Sequence, residues 1–209
     1  MKRRLHRLWH EESGITLTEL LDAMAILGII LAVMALILSM SIRQSSQIQE
    51  QSTLQTEVRA SVDEMARQLR QAYSGDATYP IDTASPTTLQ FLSPDEATPF
   101  HDRRIAYRLT GGHLDRALSV SANTDGPPWT GLAWTTFATI PANRWATLVG
   151  SVRNAAVFSY YDKSGALLTG TINPTSVYRV QITVTVSTDV QVARQFTYST
   201  SASLRWAPS

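Results

Sequence analysis

The stretch ITLTELLDAMAILGIILAVMALILSMSIR, residues 15–43, decides how this chain is read. From Ala23 to Leu38 no polar side chain interrupts it, and from Leu20 to Met40 the exceptions are Asp22 and Ser39. Those 21 residues, at a helical rise of about 1.5 Å each, span roughly 30 Å, the thickness of a bilayer's hydrocarbon core. A helix apolar on every face suits lipid or the middle of a bundle and not a globular surface. The segment is predicted to cross a membrane over about residues 20–40.

The preceding residues, MKRRLHRLWHEESG, carry Lys2, Arg3, Arg4 and Arg7 ahead of Glu11 and Glu12, whereas only Arg43 lies close behind the apolar run. The positive-inside rule then expects the N-terminus in the cytoplasm and everything beyond Arg43 outside it. Three readings fit a basic leader before an apolar helix. A cleaved secretory signal would use Ser39-Met40-Ser41 as its small-x-small site, but the apolar core is long for that role and starts behind Glu19 and Asp22. An uncut signal anchor is the second. The third turns on Glu19, an acid at the cytoplasmic edge of the helix, where a carboxylate is costly unless it finds a partner.

The run Ser13-Gly14-Ile15-Thr16-Leu17-Thr18-Glu19, with its basic leader and long apolar helix, resembles the cleavage and methylation motif of type IV prepilins and pseudopilins. The resemblance implies that a prepilin peptidase cuts after Gly14, leaving Ile15 as the new and methylated N-terminus. It further implies that Glu19 pairs with that amine on a neighbouring subunit during assembly. Ile15 stands where Phe is usual, and no proline interrupts the apolar stretch, which has only Gly28 to weaken it. Asp22, one helical turn from Glu19, reads either as a headgroup-level residue or as a second assembly contact.

Beyond Arg43 the chain stays compatible with helix. Leu54, Val58, Val62, Met65, Leu69 and Ala72 or Tyr73 form an apolar stripe at helical spacing, and Glu57, Arg59, Asp63, Glu64, Arg67 and Arg70 its solvated face. One helix from Ile15 to near Tyr73 is predicted, stopped by Ser74-Gly75-Asp76. Three regions follow: a leader over 1–14, a helix over 15–74 and a β-rich extracytoplasmic domain over 75–209.

Strands are predicted at Thr88–Ser93, Arg104–Leu109, His113–Val120, Ala155–Tyr161, Ala166–Thr169, Tyr178–Ser187 and Gln191–Arg205. Tight turns at Gly111-Gly112 and Asp162–Gly165 should close two hairpins. Val180, Ile182, Val184 and Val186 alternate with polar residues, the mark of a half-buried strand, and the run from Phe196 reads as an edge. A long N-terminal helix on an antiparallel sheet makes an α+β fold, and here a pilin-like one. The order of these pieces also resembles the minor pilins of the W type and the minor pseudopilins of the J type.

Little else in the sequence suggests chemistry. Eighteen basic against 17 acidic residues give a net charge of +1, which argues for neither nucleic acid nor an acidic partner. With no cysteine, disulfides and thiol chemistry are excluded. His101-Asp102 beside Arg103-Arg104 lacks any accompanying catalytic motif and reads as a loop ion pair. Asp162-Lys-Ser-Gly165 offers too few oxygens for calcium and reads as a turn. No cofactor, metal or enzymatic activity is expected.

The long irregular stretch 123–145 holds Trp129, Trp134 and Trp145 with three prolines and almost no charge. Its indoles are expected either to pack as a lid on the sheet or to form a contact surface for a partner, a glycan or a cargo. Expected partners are the prepilin peptidase, its methyltransferase, other pilins or pseudopilins, and membrane lipid. The resulting expectation is a structural filament subunit of a pilus, competence or type II secretion-like system. The alternative is a membrane-anchored binding module that uses the Trp-rich loop.

Overall fold

The computed structural model describes residues 16–75, 78–124, 126–187 and 195–205. The chain divides into two compact units, Met1–Gln49 and Glu50–Ser209. A helix α1, Leu17–Arg70, supplies the described part of the first unit and opens the second.

In the first unit every large apolar side chain from Leu17 to Ile42 is exposed, down to Val33 at 49%. Among the described residues this is the one helix long and apolar enough to cross a membrane. Gly28, whose missing Cβ would meet nothing, does not break it. The Ser39 and Ser46 hydroxyls donate back to the carbonyls of Leu36 and Arg43 at 2.8 and 2.9 Å, which satisfies them within the helix.

In the second unit the predicted stripe is the helix's buried face. Val58, Val62, Met65 and Leu69 are fully buried, with Leu54 packed against the same core. The helix stops at Arg70, three residues short of the expected Tyr73, because the sheet captures the chain first. The N–H of Tyr73 donates to the carbonyl of Leu92 at 3.0 Å, and Ala72, not Tyr73, completes the buried stripe. The last turn tightens as Ala72 N–H reaches Leu69 O at 3.1 Å. Arg67 and Arg70 sit in that turn, where cations complement the helix dipole.

A five-stranded antiparallel meander follows: β1 (Ile81–Ala84), β2 (Thr88–Pro94), β3 (His101–Thr110), β4 (His113–Thr124) and β5 (Ala146–Val149), paired in that order. The second sheet has β6 (Phe158–Tyr161), β7 (Leu167–Leu168), β8 (Arg179–Ser187) and β9 (Gln195–Ser203), in the order β7-β6-β8-β9. The α+β architecture is thus a long helix on two antiparallel sheets. Both expected hairpins form. Gly111 and Gly112, at φ of +56° and +75°, turn β3 into β4, and Asp162 N–H reaches Ala166 O at 3.0 Å between β6 and β7.

β1 and β5 were not predicted. Each has four residues, too few to show alternation, and each is an edge strand held by its neighbour's ladder. The strand expected from Ala155 begins only at Phe158, since Val157 and Phe158 give their N–H groups to Pro86 O at 2.9 and 3.0 Å. Within β8, Val180, Ile182, Val184 and Val186 are buried as expected, and β9 is indeed an edge. One core joins the helical stripe to the inner faces of both sheets, through Phe91, Ile105 and Tyr107 on one and Phe158, Tyr160 and Ile182 on the other.

Candidate functional site

Thr16 and Glu19 form a reciprocal capping box at the start of α1. Glu19 N–H donates to Thr16 Oγ1 at 3.3 Å, while Glu19 Oε2 accepts both the N–H and the hydroxyl of Thr16 at 3.0 Å. The spacing Thr-x-x-Glu makes this possible, since N-cap and third helical residue lie side by side. A carboxylate in the first turn also meets the positive end of the helix dipole. Glu19 therefore has a local role that the sequence reading did not assign. Asp22 is exposed one turn further on. Gly14 and Ile15, the expected cleavage site and methylated residue, lie outside the described residues, as does the leader.

The 123–145 stretch covers the face of the five-stranded sheet turned away from α1. Ala106, Ala117 and Ile140 form a small apolar cluster there, with Trp134, Phe137 and Trp145 packed against it. Polar side chains from the sheet tie the backbone of the loop down. Arg104 Nη1 donates to Ala133 O at 3.1 Å, Gln90 Nε2 to Trp134 O at 2.7 Å, and Ala133 N–H to Ser119 Oγ at 2.8 Å. Trp134 sits at φ +60°, a left-handed position held by these flanking bonds.

The other two indoles have internal partners as well. Trp145 meets Phe137 in a tilted arrangement, with ring centroids 5.5 Å apart and planes at 53°, and lies under the Arg108 guanidinium at 4.1 Å. Arg108 is itself paired with Asp115 at 3.1 Å, and Thr147 donates to the same carboxylate at 2.9 Å. Trp129 donates its indole N–H to Ser74 O at 2.6 Å and meets Phe100 edge-on at 5.7 Å. All three tryptophans are half-buried, and Trp134 and Trp145 pack down on the sheet as one reading of this loop expected, whereas Trp129 rests on Ser74 and Phe100.

Arg104 also bonds Asp82 at 2.9 Å, with 11% and 24% of the two side chains exposed. Burial is the larger influence on Asp82 and lifts its carboxyl above the ordinary range, against the opposing pull of Arg104. His101 and Asp102, expected in a loop, lie on β3 instead. His101 Nδ1 is 3.0 Å from Ser121 O, and Asp102 N–H donates to Ser121 Oγ at 3.1 Å. The strand begins earlier than expected because β4 runs on to Thr124 and supplies these partners.

Asp162 spends its carboxylate on its own turn. Oδ1 accepts from Ser164 Oγ at 2.7 Å and from Ala166 N–H at 2.9 Å, and these bonds, Ser164's first, hold it below the usual range. A cleft of about 480 Å³ beside this turn is lined by Tyr79, Lys163, Leu168, Thr175 and Tyr178. Among the described residues no group of three or more His, Asp or Glu stands close enough to hold a metal.

Sequence reasoning missed Gln68, Gln90, Arg104 and Ser119, the buried polar residues that fasten helix and loop to the sheet. Gln68 follows Met65 at helical spacing, so its place beside the stripe was visible, but its partners were not. Comparison with protein-family models and with curated protein sequences finds no match to this chain.

Proposed function

We propose that the chain is a structural minor pilin or pseudopilin, a subunit of a type IV pilus, competence or type II secretion-like filament, with no catalysis of its own. A prepilin peptidase cuts between Gly14 and Ile15, a methyltransferase modifies the new amine, and the apolar helix holds the subunit in the cytoplasmic membrane with its C-terminal domain outside. Assembly with other pilins then runs through that helix, with Glu19 neutralising a neighbour's N-terminal amine and Asp22 beside it.

The observation that carries this reading is the coincidence of one acid, Glu19, in the first turn of α1 with an exposed, all-round apolar surface over the following turns. In hydrocarbon a carboxylate needs a cation, and an amine freed four residues upstream on a neighbour is the nearest one the motif supplies. The capping box supports the same reading, since it keeps Glu19 satisfied until that amine arrives.

Intact-mass and N-terminal analysis of membrane-extracted protein tests the proposal. The expected chain starts at Ile15 with an added methyl group and has lost Lys2, Arg3, Arg4, Arg7, Glu11 and Glu12, which turns the net charge from +1 to −1. A chain starting at Met1, or after Ser41, would overturn it.

A further inference from the structure

The cleft of about 480 Å³ beside the β6–β7 turn has no part in the filament reading. Three segments build it: the approach to β1 at Tyr79, the turn over 162–168, and the single 3-10 turn Pro174–Ser176 that leads through Val177 and Tyr178 into β8. Its size falls within the roughly 300–1,000 Å³ of small-molecule sites. None of Trp129, Trp134 and Trp145 lines it.

Internal bonds set its walls before any ligand arrives. Asp162 Oδ1 is occupied by Ser164 and by Ala166 N–H at 2.7 and 2.9 Å. Asn173 Oδ1 accepts from the N–H and the hydroxyl of Thr175 at 3.1 and 2.9 Å, which fixes the 3-10 turn. The Tyr79 hydroxyl donates to Val177 O and so holds its ring at the cleft. Three groups of the lining are left over. Asp162 Oδ2, the Lys163 ammonium and the Tyr178 hydroxyl take no hydrogen bond or ion pair among the described residues. The bonds within the turn also keep the Asp162 carboxyl below the usual range, so Oδ2 is an ionised acceptor at neutral pH.

The ligand's chemistry follows from charge and from the split between floor and rim. Val177 is buried and Tyr79 and Leu168 are half-buried, which gives an apolar floor, whereas Lys163, Ser164, Thr175 and Ser176 are exposed around it. The two charges in the lining cancel. An anion drawn to Lys163 meets the Asp162 carboxylate next to it in the chain, and a cation drawn to Asp162 meets the reverse. A neutral molecule with several hydroxyls satisfies both, because each hydroxyl can donate to Oδ2 and accept from the ammonium or from Tyr178. Bonds to charged groups are the stronger kind and survive competition with water better. A sugar ring adds an apolar C–H face that matches the floor.

We propose that this cleft binds a neutral saccharide. Asp162 Oδ2, the Lys163 ammonium and the Tyr178 hydroxyl bond its hydroxyls, and Tyr79, Leu168 and Val177 receive its C–H face. The site binds without chemistry, and it needs neither cleavage at Gly14 nor assembly into a filament.

The test uses the full chain in a detergent without a sugar headgroup, titrated with maltose, cellobiose, lactose and N,N′-diacetylchitobiose and followed by protein amide shifts. Saturable binding of at least one disaccharide is expected, with the shifts centred on Ser164 and Ser176. Asp162→Asn keeps the oxygen that accepts from Ser164 and Ala166 but puts a donor in place of Oδ2, and Tyr178→Phe removes only a hydroxyl. Each should weaken the disaccharide at least about tenfold while the chain melts as the parent does. Amylose, cellulose and chitin beads separate the sources. Capture on a bead assigns the saccharide to a polymer, and binding of the disaccharide alone assigns a free sugar. Binding of none of the four, binding that survives both substitutions, shifts centred on the 123–145 loop, or saturation by inorganic phosphate in place of sugar would each overturn the proposal. If Asp162→Asn does not fold, Tyr178→Phe decides. Sugar binding is read on the unprocessed chain, so its failure and a failure of the filament reading are separable.

Discussion

The hydroxyl of Tyr107, at the centre of β3, donates to Gln68 Oε1 on α1 at 2.6 Å, and both side chains are buried. Gln68 Nε2 in turn donates to Glu64 Oε1 at 2.5 Å, and its carbonyl accepts Ser93 Oγ at 3.2 Å. The helix is thereby fixed in rotation against the meander by polar bonds laid over an apolar contact. Tyr107→Phe leaves Gln68 Oε1 without its donor and should cost about 1–3 kcal/mol in chemical denaturation. Adding Gln68→Leu should recover part of that loss. Equal stability of Tyr107→Phe and the parent would remove the assigned role.

Alkaline pH should unfold the second unit from one identifiable source. Burial pushes Tyr79 up to about 12 and drives Tyr107 and Tyr160 higher still. These groups keep protons in the folded chain that the unfolded chain releases near pH 10, so stability is full below about pH 10 and falls as pH rises toward the folded values. In an ultraviolet titration, Tyr79, Tyr107 and Tyr160, of the seven tyrosines, should ionise only as circular dichroism is lost. All seven titrating together near pH 10 in a folded chain would contradict this.

The Trp-rich lid should behave as part of the core. Trp134→Ala and Trp145→Ala open the cluster around Ala106 and Ala117 and should cost about 2–4 kcal/mol, the lower side of buried aromatic truncations because both indoles are half-exposed. Arg104→Met strips Asp82 and Ala133 O of their donor and should cost about 3 kcal/mol. Unchanged melting of all three variants would return the loop to the role of a free contact surface.

Glu19 separates two roles by one pair of variants. A glutamine keeps an oxygen that can accept from Thr16, whereas alanine loses the box and its support of the first helical turn. If capping were its whole purpose, Glu19→Gln would assemble like the parent. The proposed amine pairing requires the charge, so Glu19→Gln and Glu19→Ala should fail alike to co-purify with the filament, with helix content retained in the glutamine variant.

Periodicity alone carried much of this architecture. The apolar block, the stripe from Leu54 to Leu69 and the β8 alternation each repeat a spacing that only one kind of element can bury, so the helix, its buried face and the longer strands were legible without coordinates. The Gly111-Gly112 and Asp162–Gly165 turns were legible too, because local backbone geometry demands those residues. Tertiary contact decided the rest. β1 and β5 exist because a neighbour's ladder holds them, and the helix ends at Arg70 because Leu92 O takes the next free N–H. The loop over 123–145 is a lid because Gln90, Arg104 and Ser119, far apart in sequence, converge on its backbone. Spacing within one element can be read from a linear chain, whereas the partner of a buried polar group lies in another element and is known only once the two have packed.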